Sequence, residues 1–301
     1  MFYLLNILIQ MKILLNNHTL HKTLRPFDNI GFIPTMGGIH EGHISLIDKS
    51  NKLSKKTLVS IFINPKQFNN IEDLKSYPSN IKKDLSILRK NKKVDFVYMP
   101  KFEDIYRSNN KSKIKIDKND KILCAKFRKG HFEGVLDVMD RLTSLIKPRR
   151  IFMGKKDFQQ FYLVKNFIEK KYKSKVIGCK TIRNKNKLAL SSRNFLLNKD
   201  DLNKVEIITK NFFKLKKEIK NKKKINQFLH MSKKKLENLF KIKIEYLENR
   251  NKKDLAISNN YLGSRIFMSY YFWNYMQPCK VHAHVPTVLY WSIFWNRHSR
   301  V

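Results

Sequence analysis

Cysteine, acidic residues and long apolar runs are all scarce in this chain of 301 residues. Its three cysteines, Cys124, Cys179 and Cys279, lie far apart and form no CxxC pair. That excludes a disulfide framework and a cysteine-based zinc site, and makes a reducing, cytoplasmic compartment the expectation. The opening decapeptide MFYLLNILIQ is apolar but lacks a charged n-region and a small-residue cleavage site. It is also far short of the roughly 20 residues a bilayer span needs, so neither a signal peptide nor a membrane anchor is read. An ordinary start follows at Met11, and residues 1–10 read as an upstream-start extension. Acid is outnumbered, with 24 Asp+Glu against 63 Lys+Arg and a net charge of +39. Such a balance points to nucleic acid or anionic membranes. Its distribution points away from them. The excess is mostly Lys, mixed with Asn and Ile on every segment, as A/T-rich codon usage produces, whereas base-reading interfaces favour Arg. No zinc-finger spacing, basic-zipper heptad or RNP-type strand occurs. No specific nucleic-acid partner and no membrane partner are expected.

What the chain does contain is enough apolar residue, 42%, for a large core. Apolar runs and helical spacings alternate from residue 29. Strands are expected at Asn29–Pro34, Thr57–Ile63, Val94–Met99, Arg150–Met153 and Lys175–Cys179. Helices are expected at Gly42–Leu53, Ser79–Lys90, Val135–Ile146 and Asp157–Lys170. This alternation implies an α/β fold of βαβ units, a parallel sheet with helices on both faces. Lys-rich amphipathic helices over 200–241 and strands at Ile242–Leu247 and Arg265–Ser269 suggest a smaller α+β unit. The division expected is 11–185, 186–273 and a tail, 274–301.

Three segments carry chemistry. Pro34-Thr35-Met36-Gly37-Gly38-Ile39-His40-Glu41-Gly42-His43 follows a buried strand and opens a helix. Glycines there let backbone approach a phosphate, and a helix N-terminus presents free N–H groups to it. His40 and His43, three apart, share a face and can donate to a phosphate as its charge builds. A Walker loop is absent, and HEGH is one residue too short for a zincin motif. Two histidines in a loop are equally read as structural. Gly154-Lys155-Lys156-Asp157 lies at another strand end, where a lysine suits a phosphate or a plain turn is capped by Asp157. Leu190-Ser191-Ser192-Arg193 offers two hydroxyls and a guanidinium, suited to a polyphosphate or simply to solvent. Together, an HxGH after the first strand and a Ser/Arg loop after the last follow the logic of adenylate-forming nucleotidylyl transferases.

The segments GFIPTMGGIHEGHISLI, VSIFINPKQF, YPSNIKKDL, RKGHFEGV, IFMGKKDFQQ and LALSSRN run in order, and over roughly residues 11–270 the chain resembles the pantoate–β-alanine ligase family. The resemblance implies a Rossmann-like doubly wound sheet with a hinged lid and a cytoplasmic homodimer. It also implies a two-step reaction in which pantoate and ATP give pantoyl-adenylate, β-alanine displaces AMP, and Mg²⁺ accompanies the nucleotide. It implies that Met36, Gly37, Gly38, Ile39, His40, Glu41, Gly42 and His43 line the ATP phosphates, with His43 and His40 catalytic. Further ATP contacts fall on Gly154, Lys155, Lys156, Asp157, Ile182, Leu190, Ser191, Ser192 and Arg193. Asn64, Gln67 and Gln160 would hold pantoate, Gln67 also β-alanine, and Asp84 would stand near the metal. His43 matches a proton donor, but neither step needs a protein nucleophile, and a hydrogen-bond donor to the α-phosphate suits it better.

Lys155 stands where the family usually has Glu, and Gly38 is a second glycine in its motif. Residues 274–301 match nothing in the family and fit a frame change or readthrough. His282 and His284 there have no acid or paired cysteine nearby, which argues against a metal site. Two other readings of the whole are an inactive homologue and a basic nucleic-acid-associated protein on the same fold.

Overall fold

A computed structural model describes residues 11–106, 114–272 and 291–292. The first unit runs β1 (Lys12–Leu14), α1 (Asn17–Leu24), β2 (Ile30–Thr35), α2 (Glu41–Leu53), β3 (Lys56–Ile61), α3 (Ile71–Lys75), α4 (Ile81–Asn91) and β4 (Phe96–Tyr98). It continues with α5 (Phe102–Ile105), α6 (Cys124–Phe127), α7 (His131–Ile146), β5 (Arg150–Gly154), α8 (Phe158–Lys171) and β6 (Lys175–Cys179). Each strand and helix expected from the pattern is present within a few residues. β1 and α1 were not foreseen: a three-residue strand shows no period, and α1 buries only Asn17, Leu20 and Leu24.

The six strands are all parallel in the order β1-β4-β3-β2-β5-β6. Neighbouring residues of a strand point to opposite faces. Phe32, Leu58 and Ile151 therefore enter one core cluster, beneath α7 and α8. Ile33, Val59 and Phe152 enter the other, beneath α2 and α4. Each fully buried side chain of this kind contributes roughly 1.5–3 kcal/mol, so the sheet is held from both sides.

The order fixes where a ligand can sit. From β2 the chain steps outward through β3 to β4, then crosses back to place β5 on the other flank of β2. The carboxyl ends of β2 and β5 thus border the topological switch point, where open α/β sheets leave a crevice.

The second unit comprises α9 (Lys199–Glu218), α10 (Ile225–Phe240) and the antiparallel strands β7 (Ile242–Asn251), β8 (Ser264–Phe272) and β9 (Trp291–Ser292). Leu188, Val205, Phe212, Leu229, Ile244 and Ile266 form its own core. Tyr246, Leu255 and Phe267, however, are buried in the core of the first unit. Tyr246 and Cys124 meet there through their hydroxyl and thiol, 2.6 Å apart. Residues 1–10 and the tail, apart from 291–292, lie outside the described residues, His282 and His284 included.

Candidate active site

After Thr35 the chain needs a sharp reversal before α2. Gly37 and Gly38 supply it with φ of +83° and +64°, values that side chains rarely adopt. A Cβ on Gly38 would lie 2.7 Å from the Ser192 Cβ and 2.9 Å from the Pro78 carbonyl, so no side chain fits. Thr35 Oγ1 accepts the Gly37 N–H, and Asp84 accepts the Gly38 and Ile39 N–H groups at 2.9 and 2.8 Å. The N–H groups of Gly37, Gly38 and Ile39 are thus bonded within the protein, and these three residues, expected at the phosphates, are not among those lining the cleft. Asp84, 2% exposed, has both oxygens on backbone and is not aimed at a metal. Glu41 points to solvent and does not line the cleft either.

Met36, His40, Gly42 and His43 do line it. His40 caps α2, its Nδ1 accepting the Gly42 N–H at 3.0 Å. His43 Nδ1 accepts the His40 N–H at 3.3 Å. Two Nδ1 acceptors leave the proton on Nε2 in each neutral ring. The rings sit 4.2 Å apart. Burial, then the charge of Lys156, push the His40 pKa down to about 4. Burial, then His40 and Lys156, hold His43 well below its usual value. Both rings are therefore neutral Nε2–H donors at pH 7, which favours hydrogen bonding over proton donation.

Across the crevice, Gly154, Lys156, Asp157 and Gln160 line the wall from the end of β5. Lys156 Nζ donates to Ser191 Oγ at 3.1 Å and lies 3.7 Å from Asp157 Oδ2. Lys155, expected at the nucleotide, points elsewhere. Its ammonium lies 5.9 Å from the Phe161 ring centre, its N–H donates to the Cys179 carbonyl, and its carbonyl accepts Arg265 Nη2 at 2.6 Å. Burial and then Arg265 lower its pKa. The Glu-to-Lys departure thus falls outside the cleft, because consecutive residues at a strand end face opposite sides.

Ile182, Leu190, Ser191, Ser192 and Arg193 close the far side. Ser192 Oγ donates to the Gly38 carbonyl. Arg193 Nη2 donates to both oxygens of Asp73 at 3.1 Å and stacks 5.3 Å from the Tyr77 ring centre.

The short turn Pro65–Gln67 after β3 holds the polar end. Asn64, only 1% exposed, is fully engaged: Nδ2 donates to Gln67 Oε1 and the Gly134 carbonyl, and Oδ1 accepts from Tyr106 OH at 2.9 Å and from the Lys66 N–H. It braces Gln67, whose Nε2 reaches Met36 Sδ at 2.9 Å. Tyr77, Arg128, His131, Lys180 and Thr181, to which the motifs assign no role, also line the cleft. Three of them lie within motifs of the sequence, Tyr77 in YPSNIKKDL and Arg128 and His131 in RKGHFEGV. His131 Nδ1 donates to the Gln67 carbonyl at 2.7 Å, leaving Nε2 to accept from Arg128 Nη1. Burial, then Arg128, push its pKa down to about 3, so it is a neutral strut.

Among the described residues no group of three His, Cys, Asp or Glu side chains could hold a metal ion, and no helix is long and apolar enough to cross a membrane. The family model for "Pantoate-beta-alanine ligase" matches residues 10–276. Curated pantothenate synthetases are similar. That of Pseudothermotoga lettingae is 41% identical over 184 residues, 61% of this chain and 65% of its own length. That of Leptospira interrogans serovar Lai is 47% identical over 174 residues, 57% and 61%. These alignments span less than two thirds of those relatives. Over 87% of the chain the fold superimposes on solved structures. One is the Thermus thermophilus pantothenate synthetase, with a TM-score of 0.81, 26% identity and 95% of that chain covered. Another is the Francisella tularensis pantoate-beta-alanine ligase complexed with beta-gamma ATP and beta-alanine, with a TM-score of 0.74, 33% identity and 94% covered. With its family matched from residue 10 to 276 and its histidines, Lys156 and the Ser191–Arg193 loop meeting at one sheet edge, the chain belongs to the pantoate–β-alanine ligase family.

Proposed function

We propose that this protein condenses pantoate with β-alanine at the expense of ATP. A pantoate carboxylate oxygen bonds to the α-phosphorus, the bond from that phosphorus to the bridging oxygen breaks, and pyrophosphate leaves. The β-alanine nitrogen then bonds to the activated carbonyl carbon, the carbon–oxygen bond to phosphate breaks, AMP leaves and the nitrogen gives up its proton. The observation that carries this reading is the pair of neutral Nε2–H donors of His40 and His43 facing Lys156 across the switch point.

The histidines donate to the α-phosphate as pyrophosphate departs, Lys156 and Ser191 hold the phosphates, and Gln67 and Gln160 bind the pantoate hydroxyls and carboxylate. Gln amides do this without adding negative charge beside the nucleophile. Catalysis is then positioning and charge stabilisation. Mg²⁺ would accompany the nucleotide substrate; Asp84, with both oxygens on backbone N–H groups, is poorly placed to meet it, whereas Asp157 lines the cleft. Family membership supports a homodimer and the use of ATP supports a cytoplasmic location. The second unit is read as a lid over the nucleotide.

The test is release of AMP and pyrophosphate that requires ATP, pantoate and β-alanine together. Soluble protein that releases neither overturns the reading and leaves the inactive homologue. Light scattering of the same sample gives the oligomeric state.

A further inference from the structure

We propose that Asp84 is a positioning residue of this site: its carboxylate fills the backbone anion pocket formed by the Gly38 and Ile39 N–H groups, setting where His40 and His43 stand and leaving the phosphates to side-chain donors. The inference rests on the ligase reading above for its kinetic part only.

Two consecutive residues at positive φ, Gly37 and Gly38, turn successive N–H groups toward one point. In phosphate-binding loops that arrangement holds an anion. Here the anion is part of the protein. Asp84 Oδ2 and Oδ1 accept the two N–H groups at 2.9 and 2.8 Å, and the residue is 2% exposed, so no phosphate can enter. The fit is close, because a Cβ on Gly37 would lie 2.8 Å from Asp84 Oδ2. Ile39 leads directly into His40, whose Nδ1 caps Gly42 and whose N–H engages His43. The carboxylate thus grips the residue bonded to His40, and the His40 N–H carries the hold on to His43. A shift of the loop therefore moves two donors at once, and the Asp84 charge repels a phosphate from the wrong register.

The experiment uses the full chain with Asp84→Asn and Asp84→Ala. Asparagine keeps one acceptor but turns an N–H₂ toward the second backbone N–H. For Asp84→Asn, kcat is expected to fall about 10- to 100-fold, with KM for β-alanine nearly unchanged. In Asp84→Ala, added formate should restore turnover by refilling the pocket, and inorganic phosphate should inhibit in competition with ATP. The wild type should show neither effect. Independently of ligation, imidazole NMR should find both wild-type rings neutral at pH 6 and a ring of Asp84→Asn titrating nearer 6.5. Unchanged imidazole titration in Asp84→Asn overturns the inference whatever its turnover. Folded Asp84→Ala without formate rescue also overturns it. If Asp84→Ala does not fold, Asp84→Asn decides alone. An inactive wild type removes the ligase reading, while the NMR comparison still judges Asp84.

Discussion

Ser192 Oγ donates to the Gly38 carbonyl at 2.9 Å, a bond between residues 154 apart that ties the loop after β2 to the Ser/Arg loop. Removing it in Ser192→Ala leaves a buried carbonyl unbonded and detaches the two halves of the phosphate cradle. We expect a loss of about 1–3 kcal/mol in stability and a raised KM for ATP. Urea denaturation and initial rates check both. An unchanged KM would separate this bond from nucleotide binding.

His43→Ala should lower kcat about 10²- to 10³-fold, as removal of a charge-stabilising donor does. His43→Gln should retain more activity, because its amide still donates. With the His40 pKa pushed down to about 4 and that of His43 also lowered, the acid limb of the kcat profile should show no break near 6.5. A break there that vanishes in His43→Gln would instead identify an imidazolium as proton donor.

Acid should also destabilise the fold. Unfolded histidines take up a proton near 6.5, whereas folded His40 does so at about 4 and His131 at about 3. Between those values the unfolded chain binds more protons, so stability falls as pH drops from about 6.5 toward 3. The fall is about 1.4 kcal/mol per pH unit for each such histidine. Thermal melts from pH 7 to 4 measure it, and His131→Gln should flatten the curve.

Gly134 sits in α7 where a Cβ would lie 2.2 Å from the Lys66 carbonyl. Gly134→Ala must push away the turn that carries Asn64 and Gln67. We expect about 1–3 kcal/mol of destabilisation and a raised KM for pantoate with a smaller change for ATP. Equal changes for both substrates would place the effect elsewhere.

Tyr106 OH donates to Asn64 Oδ1 within the core, and burial followed by Asp137 raises its pKa. Tyr106→Phe should cost about 1 kcal/mol and weaken pantoate binding through Gln67. Isothermal titration with pantoate checks this, and Asn64→Ala in the same background should weaken binding further, because it also removes the Nδ2 bonds to Gln67 and the Gly134 carbonyl.

Much of this was legible because it is local. The run TLVSIFI shows a buried strand without its partners, and HxGH opening a helix shows two imidazoles on one face. Asp84 could not be read the same way. A carboxylate one turn into a helix looks alike whether it faces a metal or two amides 45 and 46 residues away. Lys155 and Lys156 likewise look equivalent until the strand end assigns them opposite sides.

By itself, the sequence determined the alternation of strands and helices, the glycines that let the loop reverse and the residue types available to hold phosphate. Apolar period and turn chemistry depend only on near neighbours. The tertiary structure alone decided that β2 and β5 lie side by side, that Asp84 occupies the loop's N–H groups and that Ser192 closes on Gly38. Those outcomes depend on strand order and on which distant groups packing brings within hydrogen-bonding distance.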